Sequence, residues 1–343
     1  MTAGLPGAFE VQADEVHTLC LHGDASAALR VQDLELTVEP SLHIERTTLP
    51  AGPTRPPVVL VHGFAQNRFS WHTSVRSMSG WLAAQGWDVW NLELRGHGRS
   101  RRKGQSVATT FADYPKDLNT LADHMAQPAF WIGHSLGASV AYAAVAARPQ
   151  EARCAGVVSI GGLYRFGQAG WLIPGLVRAT KKLPGNVDIG DIQVHTGLSG
   201  RILARLFPLV DLAAYGMPVA GWWPGSVEPE LAKERMKRGF DYIPVRVWQE
   251  MASWAAADDA PWDAGWQAAS VPNLIILGDR DSMLFPEEGR AAFDRSGAGD
   301  KTLKILDDTD GLTHWGHLDI VLGKSAPAHV WTLINQWMSA RSS

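Results

Sequence analysis

The sequence predicts an α/β fold: a mostly parallel central sheet flanked by helices, with a helical lid inserted after the sixth strand. Three observations carry this expectation. Val58–Val61 is a short, wholly apolar run, as a strand buried on both faces requires. From there strand-like and helix-like patterns alternate, which calls for parallel strands joined by helical crossovers. The alternation stops after Gly162 and resumes at Pro272. Residues 1–163 and 269–343 therefore read as core, and 164–268 as the insertion.

The elements follow in order. Residues 1–15 read as a loose tail, without the basic and apolar regions of a secretory leader. Val16–Leu21, Leu29–Val38 and His43–Leu49 carry short alternating patterns suited to antiparallel strands. Ala51–Pro57 is a loop of prolines and a glycine. After Val58–Val61, a helix is expected over Ser70–Gln85, stopped by Gly86, and a strand over Trp87–Leu94. Phe111–Met125 reads as a helix, Phe130–Ile132 as a strand, and Ser135–Ala147 as a packed helix ending at Arg148-Pro149. Gly156–Ile160 is the next strand. Beyond the insertion, Pro272–Leu277 and Lys301–Leu306 read as strands and Ala328–Met338 as the closing helix.

Composition narrows the class. The chain has 343 residues, 45% of them hydrophobic, and a net charge of −4, which suits an enzyme with a large core and gives nucleic acid no basic face. Arg101–Lys103 is a short cationic cluster of a solvated loop. No run of 18 apolar residues is present, so no transmembrane segment is expected, and a cytoplasmic protein is the default. Two cysteines, Cys20 and Cys154, make no disulfide framework and no metal spacing. No cofactor or metal is expected. Oligomeric state is not legible.

Gly133-His134-Ser135-Leu136-Gly137 is the most specific motif. It stands between a strand and a helix, where small flanking residues let the chain turn sharply and expose a serine. A serine hydroxyl is a weak nucleophile and needs a base, which in turn needs an anion to orient it. Acid candidates lie in Gly278-Asp279-Arg280-Asp281, a loop leaving an apolar strand at its carboxyl end. Asp281 is favoured over Asp279, because it lies beyond the glycine turn and closer to a following loop. For the base, His317 is favoured over His314, because Gly316 permits a tight turn before it. His62, His134 and His329 read as structural. Backbone N–H groups of Leu136 and of Phe64, in His62-Gly63-Phe64, are the expected oxyanion donors.

These pieces in this order resemble the α/β-hydrolase superfamily. The matching set is His62-Gly63-Phe64, Arg95-Gly96-His97-Gly98-Arg99-Ser100, Gly133–Gly137, Gly278–Asp281 and Gly316-His317, and it spans most of the chain. The ending Gly316–Gly323 is similar to that of acid-lipase-like and polyhydroxyalkanoate-synthase-like members. The synthases carry cysteine in the elbow, so Ser135 favours hydrolysis over polymerisation. Epoxide hydrolases and haloalkane dehalogenases would want aspartate there.

The resemblance implies a serine hydrolase acting on a small hydrophobic ester, with Ser135 as nucleophile, His317 as base and Asp281 as orienter. An acyltransferase or a cofactor-free perhydrolase or haloperoxidase could use the same residues, and a non-catalytic binding protein could use the same fold. Seven of the 15 tryptophans lie in the insertion: Trp171, Trp222, Trp223, Trp248, Trp254, Trp262 and Trp266. Trp222 and Trp223 are the candidate substrate-binding pair. The alternative is that such side chains build the insertion's own core. Asp258-Asp259 reads as a solvated turn.

Overall fold

The computed structural model describes residues 7–101, 107–165, 167, 193–196, 201, 221–311 and 313–342. Trp171, Arg102 and Lys103 lie outside the described residues, as does part of the insertion. The strands are β1 (Phe9–His22), β2 (Ala25–Leu36), β3 (Leu42–Thr48), β4 (Pro57–Val61), β5 (Asp88–Glu93), β6 (Ala129–His134), β7 (Cys154–Ile160), β8 (Gln193–His195), β9 (Tyr242–Pro244), β10 (Asn273–Gly278) and β11 (Lys301–Leu306). Nine form one sheet in the order β1-β2-β3-β5-β4-β6-β7-β10-β11, and β8 and β9 pair separately. From β5 across to β11 every pair is parallel, whereas β1, β2, β3 and β5 meet antiparallel.

The apolar runs become central strands because their side chains alternate between two cores. Val58, Leu60, Phe130, Ile132, Leu274 and Ile276 face one hydrophobic cluster. Val59, Val61, Trp131, Ile275 and Leu277 face the other. A strand buried on both faces has no room for the usual polar alternate residue.

Three expectations are corrected. From Phe9 on, the amino-terminal segment is not loose: β1 begins there and pairs with β2 from Phe9↔Leu36 to His22↔Ala25, while residues 1–6 lie outside the described residues. Its side chains are exposed along most of its length, so hydrophobic alternation was a poor guide and backbone pairing holds it. The helix expected over Ser70–Gln85 is only Met78–Ala84. Ser77 caps it, accepting from the Gly80 N–H at 2.9 Å, while Thr73 N–H closes a turn on the Arg76 carbonyl at 2.8 Å. That turn aims Arg76 at Glu228 and at the Leu322 carbonyl. Finally, the excursion leaves the sheet after β7, the seventh strand in chain order, because all three amino-terminal strands join the sheet.

Within the excursion the described helices are Pro229–Arg238, Val245–Ala257 and Asp263–Ala268. The last packs directly on helix Leu136–Ala147, where a Cβ on Gly265 would overlap the Ala146 carbonyl. Trp262 and Trp266 are buried with Phe111, Tyr142 and Tyr164. These two tryptophans belong to the core cluster that packs against the sheet, not to a separate core of the insertion.

The parallel register determines where chemistry can occur. Val61 lies opposite Gly133, His134 opposite Ile160, and Ile160 opposite Ile276. The loops that follow β4, β6, β7 and β10 therefore emerge side by side at one edge, the carboxyl edge where ligands bind in such sheets.

Candidate active site

Ser135 stands at the turn from β6 into helix Leu136–Ala147 with φ 56° and ψ −120°. That conformation is unfavourable for a residue bearing a Cβ, and its surroundings hold it in place. The Ser135 N–H donates to the Ile160 carbonyl on β7 at 3.0 Å. Both flanking glycines are steric necessities. A Cβ on Gly133 would overlap the backbone at Gly137 and Ala138. One on Gly137 would overlap the Val61 carbonyl and lie 2.7 Å from that of His62. Gly137→Ala should therefore cost at least about 2 kcal/mol of stability. Urea unfolding beside wild type checks this, and a loss under about 0.5 kcal/mol would contradict the close approach.

The structure separates the two acid–histidine pairs that the sequence left as alternatives. His317 Nδ1–H donates to Asp281 Oδ2 at 2.7 Å. The second oxygen of Asp281 accepts from the backbone N–H groups of Met283 and Leu284, both at 2.9 Å. This carboxylate is thus fixed from both sides, and its side chain is 1% exposed against 2% for His317. His314 Nδ1–H instead donates to Asp279 Oδ2 at 2.6 Å, and that pair is 24% and 19% exposed. Asp279 also accepts from the Trp315 N–H, so it pins the loop ahead of His317. His317 Nε2 is buried without a hydrogen-bond partner, and the Ser135 hydroxyl makes no bond to it in this structure. Such contacts often tighten only when substrate binds.

His134, next to the serine, is a strut. Its ring packs 4.7 Å from that of His317, and its Nε2–H donates to the His317 carbonyl at 2.8 Å. Burial, with repulsion from His317 and Arg235, holds its basicity well below the ordinary histidine range. It therefore stays neutral, with its single ring proton engaged by the His317 carbonyl.

The loop after β4 lies against the serine: a Cβ on Gly63 would stand 3.3 Å from Ser135 Cβ. His62 fastens this loop, accepting from the Leu94 N–H at 3.2 Å and donating to the Gly63 carbonyl at 3.0 Å. Burial lowers its pKa to about 4, so it is a neutral brace. The Phe64 side chain packs on Trp248, in helix Val245–Ala257, at 5.9 Å. The Leu136 N–H heads its helix, where backbone donors lack intrahelical acceptors. Ala65, at φ 55°, turns its carbonyl to the Asp241 N–H at 2.7 Å.

Sequence reasoning missed Asp241, and it missed Asp319. The Asp241 carboxylate is buried and accepts from Asn67 Nδ2, from the Gly98 N–H and from the Tyr242 N–H. It therefore ties the segment entering β9 to the loops that hold Asn67 and Gly98. Asp319 accepts from the N–H groups of Gly316 and Trp223 and from the Ser226 hydroxyl, joining the His317 loop to residues 223–226. Burial raises its pKa to about 6. A lone aspartate in a sequence gives no sign of such long-range partners.

Trp222 is buried beside Leu318 and lines a cavity of about 30 Å³. Trp223 takes a different course and packs edge-on against His314 at 4.6 Å. The two candidate substrate residues thus point to different surroundings. Among the described residues no cluster of side chains is suited to a metal, and no helix is long and apolar enough to cross a membrane.

Comparison with known proteins places this geometry among relatives. Residues 56–318 match the family model of the alpha/beta hydrolase fold. Epoxide hydrolase B of Mycobacterium tuberculosis is 36% identical over 106 residues, a match covering 31% of this chain and only 28% of that protein's length. Monoacylglycerol lipase of Mycolicibacterium smegmatis is 24% identical over 274 residues, covering 75% of this chain and 80% of that protein. Among solved structures, the monoacylglycerol lipase of Paleococcus ferrophilus superposes with a TM-score of 0.59 at 17% identity, covering 88% of this chain and 99% of the other. At that identity the likeness speaks for the fold alone.

Proposed function

The chain belongs to the α/β-hydrolase fold family, and from that premise we propose that it is a serine hydrolase cleaving a hydrophobic carboxylic ester through an acyl-enzyme. One observation carries the reading: a buried Asp281–His317 pair leaves His317 Nε2 without a partner, at the sheet edge where Ser135 occupies a strained elbow. Ser135 Oγ attacks the ester carbonyl and passes its proton to His317 Nε2. Asp281 holds the ring and stabilises the imidazolium. The N–H groups of Phe64 and Leu136 receive the oxyanion. His317 then protonates the departing alcohol, and water, deprotonated in turn by His317, releases the acid.

The name of the mycobacterial epoxide hydrolase raises a second reading. Opening an epoxide from the elbow would form an ester on a carboxylate, and this chain has a hydroxyl there. Match length does not choose between the two, since epoxide hydrolase A of Mycobacterium tuberculosis aligns over 292 residues and the monoacylglycerol lipase over 274; the hydroxyl of Ser135 in the elbow is what favours an ester.

Residues 164–268 act in this reading as the lid that selects the acyl group, with Trp222 in its wall. Activity on p-nitrophenyl esters should climb about fourfold per added methylene until the pocket is full, since each buried methylene is worth roughly 0.8 kcal/mol. Trp222→Ala should shift that profile while fluorophosphonate labelling of Ser135 persists, with thermal melts run alongside. A profile that peaks at acetate and does not move in a well-folded variant contradicts the apolar pocket.

A further inference from the structure

We propose that Arg235 is the anchor for a carboxylate on the substrate, so that the preferred ester is one whose apolar chain also carries a free carboxyl group. The inference deepens the esterase reading and rests on it for the reacting end of the molecule.

Three arginines are buried among the described residues. Arg46 pairs with Asp88 at 2.7 Å, and Arg76 with Glu228 at 2.5 Å. Arg235, in helix Pro229–Arg238, pairs with no carboxylate among the described residues. Its one side-chain hydrogen bond runs from Nη2 to Gln66 Oε1 at 3.2 Å. That oxygen is neutral and already accepts from the Ser70 hydroxyl at 2.7 Å. Arg235 Nη1 is buried with no partner.

A guanidinium cannot escape this by losing its proton. Burial lowers its pKa only to about 10, so it stays charged at neutral pH. An isolated buried charge is costly unless paired, and among the described residues no carboxylate supplies the counter-charge, a part that a substrate carboxylate would fill.

The cavity beside Arg235 fits that role. Its volume of about 30 Å³ is bounded by Arg235, Gln66, Trp222, Leu231, Phe240 and Leu318, enough for one carboxylate-sized group in place of a water or two. The walls are apolar except at the guanidinium and the Gln66 amide. The cavity also adjoins the reacting atoms. Leu318 follows His317, and Gln66 Oε1 and Ser135 Cβ both come within 3.3 Å of the point where a Cβ on Gly63 would stand. A chain of a few carbons would therefore join an ester carbonyl at Ser135 to a carboxylate at Arg235. The half-esters of short dicarboxylic acids have this form.

The test compares p-nitrophenyl hydrogen glutarate with p-nitrophenyl valerate, which replaces the distal carboxylate by a methyl group. Wild type should prefer the glutarate ester in kcat/KM by on the order of tenfold to a hundredfold, the range of a charge-assisted hydrogen bond. In Arg235→Met the preference should collapse to about onefold, and Arg235→Lys should restore part of it. Arg235→Met should melt at or above the wild-type temperature, because it removes a charge that has no counter-ion.

Equal rates on the two esters in wild type would overturn the proposal. So would a preference that survives in Arg235→Met, or a melting temperature in that variant well below wild type, which would make Arg235 a structural prop. Calorimetry of monomethyl glutarate binding to Ser135→Ala and to Ser135→Ala/Arg235→Met separates this proposal from the esterase reading. Binding at least tenfold tighter to the first supports the anchor even if no ester is turned over. Equal binding sinks it even if Ser135 is shown to be the nucleophile.

Discussion

Ser135→Ala should lose ester turnover by on the order of 10⁴-fold or more while folding as wild type does. The size follows from the site. Ser135 is the hydroxyl lifted from the carboxyl edge of the sheet by the glycine-flanked turn, at φ 56°. Alanine keeps the Cβ and therefore the same backbone strain, so the variant isolates the loss of the oxygen. Residual rate would come from the oxyanion donors and substrate binding alone. Steady-state kinetics on a p-nitrophenyl ester, with circular dichroism and a melt on the same preparation, measures it. A folded variant within tenfold of wild type would mean that another group attacks.

His317→Ala should be as severe as Ser135→Ala, and Asp281→Asn somewhat less so. The two act as a unit, so the double variant Ser135→Ala/His317→Ala should be little worse than either single change. The half-buried pair provides the contrast. Asp279 bonds to the His314 ring and to the Trp315 N–H, so His314→Ala should cost less than about tenfold, chiefly through the loop. The reverse result, a dead His314→Ala and an active His317→Ala, would move the base to the other pair. Asp281→Asn carries a further signature. Asparagine can still accept from Met283 and Leu284, but it presents no anion to the imidazolium. The rate should fall while stability changes little.

What could be read from the sequence is what local pattern controls. The apolar runs at β4, β6, β7 and β10 alternate between two cores, and no other element type accommodates such short runs beside glycine turns. Gly133 and Gly137 were legible because the sharp turn admits no Cβ at either place. Asp281 and His317 were ranked above Asp279 and His314 by their offsets from glycine turns; both pairs are hydrogen-bonded, and what the structure adds is the deeper burial of the first.

Elsewhere tertiary partners overrode the pattern. The Ser70–Gln85 helix is cut short by the turn that sends Arg76 to Glu228, 152 residues away. Strand β1 is held by pairing and not by burial, so its alternation is weak. Asp241 meets Asn67 from 174 residues away and Gly98 from 143. Arg235 is legible only by what fails to face it, and no sequence displays an absent partner.

The most direct test of the account is to trap the acyl-enzyme. A p-nitrophenyl ester mixed with the protein and quenched in acid within the first turnovers, followed by peptide mass spectrometry, should place the acyl mass on the peptide containing Ser135. A fluorophosphonate should add to the same residue. In Ser135→Ala both adducts should disappear. An acyl mass on any other residue, or continued turnover with Ser135 unmodified by the fluorophosphonate, would contradict the assignment of Ser135 as the nucleophile.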